Sequence, residues 1–309
     1  MVAAAEDSRQ SSSLSLPYDT RPFIRDLLKD NASKIESVRS ILQSDSNFNK
    51  YDNTSRYDDI WILRFLLSHK NNVKSAAKAA IETMHFREER KLNELGDIRH
   101  RAPSLRSPSP DVQFPCFLLY NSFSKSEFTF VHSLPDTNRG IMSYINVGEM
   151  DLHRAAVETS QEDNEMFHIL QNEVFYQIQD EVTRRTGKLT KMIRVIDMGG
   201  LSRKDLSLDF VKRDGAASTL FEDCYPQLLG STYFVNCPGW VSTVWAMLKH
   251  FFPKRAVEKM NFIGKHSTGK NAECFQAYVS HQHVPKQFGG SNPEWPRVDD
   301  LAVTFTKKD

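Results

Sequence analysis

The sequence predicts an α/β lobe with a mixed, mostly parallel sheet, preceded by a helical region. Three observations carry this. Strand-like and helix-like runs alternate after about residue 116; the earlier chain shows only helix-period patterns; and a Pro/Ser-rich stretch lies between the two. With 309 residues, 39% hydrophobic and 11% aromatic, the chain suffices for one large domain or two ordinary ones. Residues 1–17 are Ser- and Ala-rich and are expected to be a disordered tail. Residues 18–101 form the predicted helical region, 102–115 the linker, 116–296 the lobe and 297–309 a C-terminal tail.

In the helical region, Asp58 and Asp59 precede Ile60–Leu63 and Phe65–Leu67, so acidic residues open a helix where its dipole favours them. A second helix is predicted over 73–92, with Val73, Ala76, Ala77, Ala80, Ile81 and Met84 on one face and Gly96 beyond its end. In the lobe, 117–120 and 128–131 read as strands. Residues 162–186 read as a helix in which Met166, Leu170, Val174 and Ile178 recur every four residues. Residues 192–197 read as a buried strand closed by Gly199-Gly200, followed by a helix over 206–222. A turn at Tyr225-Pro226, a strand over 231–236, a Pro238-Gly239 break, a helix through Phe252, a strand over 260–263 and a helix over 271–283 complete the order. No internal repeat is visible.

The helix that ends at Phe252 is the most informative element. Val244, Met247, Leu248, Phe251 and Phe252 fall at i, i+3, i+4, i+7 and i+8, which makes one apolar face. Trp245 broadens that face, Lys249 and His250 lie off it, and Pro253 stops the helix. A plain core helix would show the same spacing. A bulky apolar helix hung on a strand by a Pro/Gly hinge, with cationic flanks, also suits a door that meets a membrane.

Other classes of chemistry find little support. Forty basic and 39 acidic residues give a formal charge of +1, so nothing global calls for nucleic acid. The cysteines at 116, 224, 237 and 274 form no C-x-x-C pair, and there is no H-E-x-x-H, so no metal or cofactor is expected. No G-x-S-x-G elbow is present. Gly264 to Asn271 matches G-x-x-x-x-G-K, but Asn271 stands where the magnesium-binding hydroxyl belongs, and few residues follow for further strands. A basic surface turn is the simpler reading. Cys224 beside Asp223 and Tyr225 reads as a small buried residue rather than a nucleophile. Asp197 ends a strand where α/β ligands gather, or it caps the following turn. No secretory h-region or bilayer-spanning run is seen, so a cytoplasmic chain is expected and the sequons at Asn31 and Asn53 carry little weight. No lipidation box is seen at the C-terminus.

Six short motifs converge on one family. Asp58-Asp59 with Ile62-Leu63-Arg64-Phe65-Leu66 resembles the N-terminal helical signature of Sec14-like, CRAL-TRIO lipid-binding proteins. Val195 to Gly200, Tyr225-Pro226, Val235 to Pro238, Lys249 to Phe252 and Val284 to Gly290 continue the resemblance in the right order, while residues 96–138 match poorly. The resemblance implies a hydrophobic pocket floored by the sheet and gated by a mobile segment from Pro238 to about Lys259. It also implies one bound lipid, often phosphatidylinositol or phosphatidylcholine, exchanged transiently at membranes by a non-catalytic monomer. His69, Lys70, Arg194, Tyr225, Thr243 and Lys249 are the implied ligand-binding positions. Val244, Trp245, Met247, Leu248, Phe251, Phe252, Lys254 and Arg255 are the implied gate and membrane contacts. The head-group positions depart from the family pattern: His69 replaces an Arg, Ala216 a Glu, and Met192 and Arg194 the Ser and Thr of the phosphatidylcholine pattern. A charged Arg194 facing inward needs an anionic partner such as a phosphate; otherwise the side chain faces solvent. A sterol, isoprenoid, retinoid, tocopherol or haem ligand stays open. So does a protein scaffold switched at Ser107 and Ser109. The lipid class requires a cavity of ~300 Å³ or more.

Overall fold

The computed structural model describes residues 19–50, 56–96, 123, 131–133, 141–264, 284–291 and 293. The helical region comprises α1 (Ile24–Leu42), α2 (Ser46–Lys50), α3 (Asp59–Ser68) and α4 (Val73–Glu89). In α1, Asn31, Ile35, Val38 and Leu42 alternate by four, three and four residues, and this stripe is buried. α3 starts where the Asp58 side chain accepts from Trp61 N–H at 3.0 Å. It is buried nearly all round, from Trp61 to Leu66. In α4, Ala76, Ala77 and Ala80 keep the buried face small, which lets α1 and α3 pack close. The helix ends earlier than the apolar pattern suggests, because Lys91 turns left-handed at φ 52°. Gly96 instead closes the short 3-10 turn Leu92–Leu95 that follows.

The lobe is a five-stranded sheet in the order β1 (Val131–Ser133), β2 (Ile141–Asn146), β3 (Met192–Asp197), β4 (Leu229–Cys237), β5 (Met260–Gly264). β1 runs antiparallel to β2, and β2 to β5 are parallel, as the mixed, mostly parallel expectation requires. β2 and the helix α5 (Leu152–Glu158) were not foreseen. Of the strand expected over 128–131, only Val131 lies in a described strand; the strand expected over 117–120, the linker 102–115, the helix over 271–283 and Ser107 and Ser109 lie outside the described residues.

α6 (Gln161–Thr186) and α7 (Leu208–Cys224) pack on one face of the sheet. α6 opens with a Ser160–Asp163 capping box and closes on left-handed Gly187. The opposite face is covered by Val284 and Phe288, which pack on Ile193, Val195, Tyr233, Val235 and Ile263. Gly290 makes this plug possible: a Cβ there would sit 1.9 Å from the Val284 carbonyl oxygen.

Strand alternation decides which side chains meet which layer. On β3 and β4, Ile193, Val195, Tyr233 and Val235 face the plug, so Arg194, Ile196, Thr232 and Phe234 face the helices. Asp197 resolves as a structural cap. It accepts from Gly199 N–H at 2.8 Å, Asn236 Nδ2 at 2.9 Å and Tyr144 OH at 3.0 Å, tying three strand ends together.

Buried charge joins the helical region to the lobe. Arg87 on α4 forks onto Glu173 on α6 at 2.8 and 2.9 Å, and Arg64 on α3 reaches Asp180 and Thr183 at 3.2 Å. Among the described residues, no helix is long and apolar enough to cross a membrane.

Candidate functional site: an apolar cavity closed by one helix

Between the sheet and the helices lies a cavity of about 180 Å³. Its floor is the helix-facing side of β3, β4 and β5, from Arg194 and Ile196 through Thr232 and Phe234 to Met260 and Phe262. α6 contributes Phe167, His168 and Gln171, and α7 contributes Phe210, Asp214 and Ser218. The last wall is α8 (Val241–Leu248), through Val241, Val244, Trp245 and Leu248, with Phe252 beyond it. The volume falls short of the ~300 Å³ expected of a ligand pocket. The interior is not solid, but the cavity has room for less than a two-chain lipid.

The closing segment differs from a single helix through Phe252. α8 stops at Leu248, Lys249–Phe251 form a 3-10 turn, Phe252 is extended, and Pro253 leads into α9 (Lys254–Val257). This splits the apolar face. The inward stripe is Val241, Val244, Trp245, Leu248 and Phe252. Met247 lies about 100° round the helix from Leu248, and the 3-10 turn swings Phe251 outward. Met247 is 63% exposed and Phe251 40%. Lys249, His250 and Lys254 are exposed beside them. Inside, Trp245 packs on Phe252 and Phe262 with ring centroids 5.4 and 5.1 Å apart, and Phe234 stacks on Phe262 at 4.5 Å.

Fasteners hold the far end of this segment to α7. The Phe251 backbone lies against Gly215, where a Cβ would come within 2.4 Å of the Phe251 carbonyl oxygen. Lys212 Nζ sits 5.8 Å over the Phe251 ring. Arg255 pairs with Asp223 at 2.6 Å, and Lys259 with Glu222 at 2.7 Å.

The remaining expected ligand positions stand apart from the cavity, Arg194 excepted. Tyr225 is buried under α6, donating to Glu173 at 3.2 Å. His69 caps the end of α3, its Nδ1 2.9 Å from the Phe65 carbonyl, and Lys70 is exposed at φ 52°. Thr243 and Lys249 are exposed on the outer side of the closing segment. Of the expected gate residues, Val244, Trp245, Leu248 and Phe252 line the cavity, Met247, Phe251 and Lys254 face out, and Arg255 is tied to Asp223.

Five polar residues of the cavity lining escaped the sequence reading: His168, Gln171, Asp214, Ser218 and Thr232. The strict four-residue repeat read in α6 drifts by ~40° per step. The buried face follows Phe167, Gln171, Val174 and Ile178 instead, and it carries Gln171 inward. Asp214 faces the cavity with His168 Nε2 3.3 Å away. Burial alone would raise its pKa, but His168 and Arg194 together hold it below the ordinary value. Arg194 is only half-buried by surface, because it faces the cavity, yet burial pulls its pKa down. Burial pushes the Cys224 thiol up to about 12, so this thiol is protonated and inert at neutral pH.

Three comparisons bear on this fold. The CRAL/TRIO domain family matches residues 124–290, more than half of the chain, and the protein belongs to that family. Patellin-3 of Arabidopsis thaliana is 22% identical over 92% of this chain and 57% of its own length. The Sec14 cytosolic factor of Schizosaccharomyces pombe is 23% identical over 83% of this chain and 81% of its own. The crystal structure of Sfh5 superposes with a TM-score of 0.56 at 12% identity, covering 90% of this chain and 94% of that one, and shows the same fold. The chain thus spans little more than half the length of Patellin-3. At the family level these are lipid-binding and lipid-transfer proteins.

Proposed function

We propose that this protein is a non-catalytic carrier that takes one hydrophobic ligand into the cavity and exchanges it at a membrane when the segment from Pro238 to Lys259 swings away. One observation carries this proposal: a single short segment closes an apolar cavity with one side and exposes Met247 and Phe251 among Lys249, His250 and Lys254 on the other. A two-chain lipid holds roughly 30 methylenes, and exposing them would cost on the order of 25 kcal/mol. Release into water is therefore too slow to be useful, and exchange belongs at a bilayer. The exposed basic residues add about 1 kcal/mol each near an anionic surface, and Met247 and Phe251 can insert shallowly. Attachment is then reversible and peripheral, which suits a cytoplasmic monomer. Because the closed cavity is small, a phospholipid enters only with the gate displaced.

Native mass spectrometry of the purified protein, followed by lipid extraction, tests this. One hydrophobic molecule per chain is expected. Protein that stays empty after incubation with mixed lipid vesicles overturns the proposal. Phosphatidylinositol exchange should be weak beside that of another ligand. His69 stands where an Arg is expected, with its Nδ1 on the Phe65 carbonyl, and Ala216 offers no carboxylate. Selective, robust phosphatidylinositol transfer in a vesicle assay would contradict this.

Gly215→Ala tests the fastened end, away from the Pro238-Gly239 break. Overpacking costs about 1–3 kcal/mol, and here it falls on the closed form, since the added methyl meets the Phe251 backbone. Ligand exchange between vesicles should rise roughly five- to 150-fold, while the melting temperature falls by roughly 2–10 °C. Unaltered exchange would show that the segment at Phe251 is not the part that moves.

A further inference from the structure

Arg194 is the cation in the described lining of the cavity. Arg194 keeps its proton at any physiological pH. Its Nε is buried without a hydrogen-bond acceptor, and its guanidinium lies 5.4 Å over the Phe221 ring. No carboxylate among the described residues lies within ion-pair reach of it. The two nearest in effect are engaged elsewhere, Asp214 with His168 at 3.3 Å and Glu222 with Lys259 at 2.7 Å. Gln171, 3% exposed and also lining the cavity, has a buried Nε2 without an acceptor. Two N–H donors, one cationic, thus stand unmatched in a mostly apolar lining whose one carboxylate among the described residues, Asp214, is paired with His168. Leaving such groups unmet is costly, and an acceptor supplied by a ligand removes the cost.

We infer that the inner end of the cavity receives the anionic head of a single-tailed amphiphile, a fatty carboxylate or a lysophosphate, whose chain runs toward Trp245 and Phe252. This rests on the carrier function proposed above and names its ligand class. An anionic oxygen accepts from Arg194 and Gln171 together, and such charge-assisted bonds are about twice as strong as neutral ones. A closed volume of about 180 Å³ favours one chain over two. The head lies inward because the cation is on β3 and the aromatic cluster is under the gate.

Trp240 and Trp245 line the cavity, so their fluorescence reports occupancy. The full chain is titrated below micellar concentrations with oleate, 1-oleoyl lysophosphatidate and oleyl alcohol. At least one anion should bind about tenfold more tightly than the alcohol, and which one does so separates carboxylate from phosphate. Arg194→Met should bring the anions and the alcohol to within about twofold of one another, and Arg194→Lys should keep part of the preference. Alcohol bound as tightly as both anions by the unaltered protein overturns the inference while leaving a hydrophobic carrier intact. So does a tenfold preference that survives in Arg194→Met. If neither the anions nor the alcohol bind, the carrier function falls with it.

Discussion

Glu173→Gln should destabilise the protein by about 3–5 kcal/mol, because it leaves Arg87 buried without a counter-charge. Glu173 is 1% exposed and accepts from the two terminal Arg87 nitrogens, from Gln177 at 3.1 Å and from Tyr225. Burial alone would raise its pKa, but the charge and fork of Arg87, with Gln177 and Tyr225, carry it below the ordinary value. The sign for stability follows. The folded pKa is depressed, so the contribution is present above the unfolded value of about 4.3 and fades as pH falls through the folded one. The unaltered protein should therefore lose this margin on acidification, and Glu173→Gln should not. A melting temperature lowered by roughly 10 °C at neutral pH is expected. The double change Arg87→Met with Glu173→Leu should recover most of it, since a well-packed apolar pair often replaces a buried ion pair without loss. A single variant that melts with the unaltered protein would show that this joint does not hold the helical region to the lobe.

Much of the fold was legible because the strands and long helices state their periods locally. Met192–Asp197 is a buried strand with Gly199-Gly200 after it, and it folds as one. α7 falls within about two residues of its sequence-predicted bounds. β2 was not legible. Ile141–Asn146 mixes Ser143, Tyr144 and Asn146 into a six-residue run, and its place between β1 and β3 is set by pairing with distant chain rather than by its own pattern. α5 is only seven residues long, too short for a stripe to show.

The site was legible where strand alternation rules and obscure where helix phase does. Alternation set Arg194 on the face opposite Ile193 and Val195, leaving cavity or solvent as its surroundings, and the structure puts it in the cavity lining. His168, Gln171 and Asp214 could not be placed, because their orientation depends on which face of α6 and α7 meets the sheet. Tyr225 shows a second limit. Its motif marks the turn that brings α7 to β4, but its hydroxyl serves the Glu173 network. A short motif reports that a residue matters without saying whether to the ligand or to the fold.

The gate prediction separates the two sides of one segment. Phe251 and Phe252 are neighbours in sequence but lie on opposite surfaces, so replacing both together would mix two effects. Met247→Asp with Phe251→Asp changes only exposed groups. Its melt should stay within about 0.5 kcal/mol of the unaltered protein, and a co-purified ligand should remain. Vesicle binding should drop by at least roughly tenfold, because two inserting apolar groups become two charges facing anionic lipid. Phe252→Asp changes the inner side, where the ring packs on Trp245. It should remove ligand binding while leaving a cooperative melt, since a peripheral door contributes little to global stability. Vesicle binding should largely survive it. Sedimentation with anionic vesicles, ligand extraction and thermal melting of both variants give six results. If the outer variant keeps full vesicle binding, Met247 and Phe251 are not the membrane contact. If Phe252→Asp yields an unfolded or aggregated chain, the segment is part of the core, and the cavity needs another door.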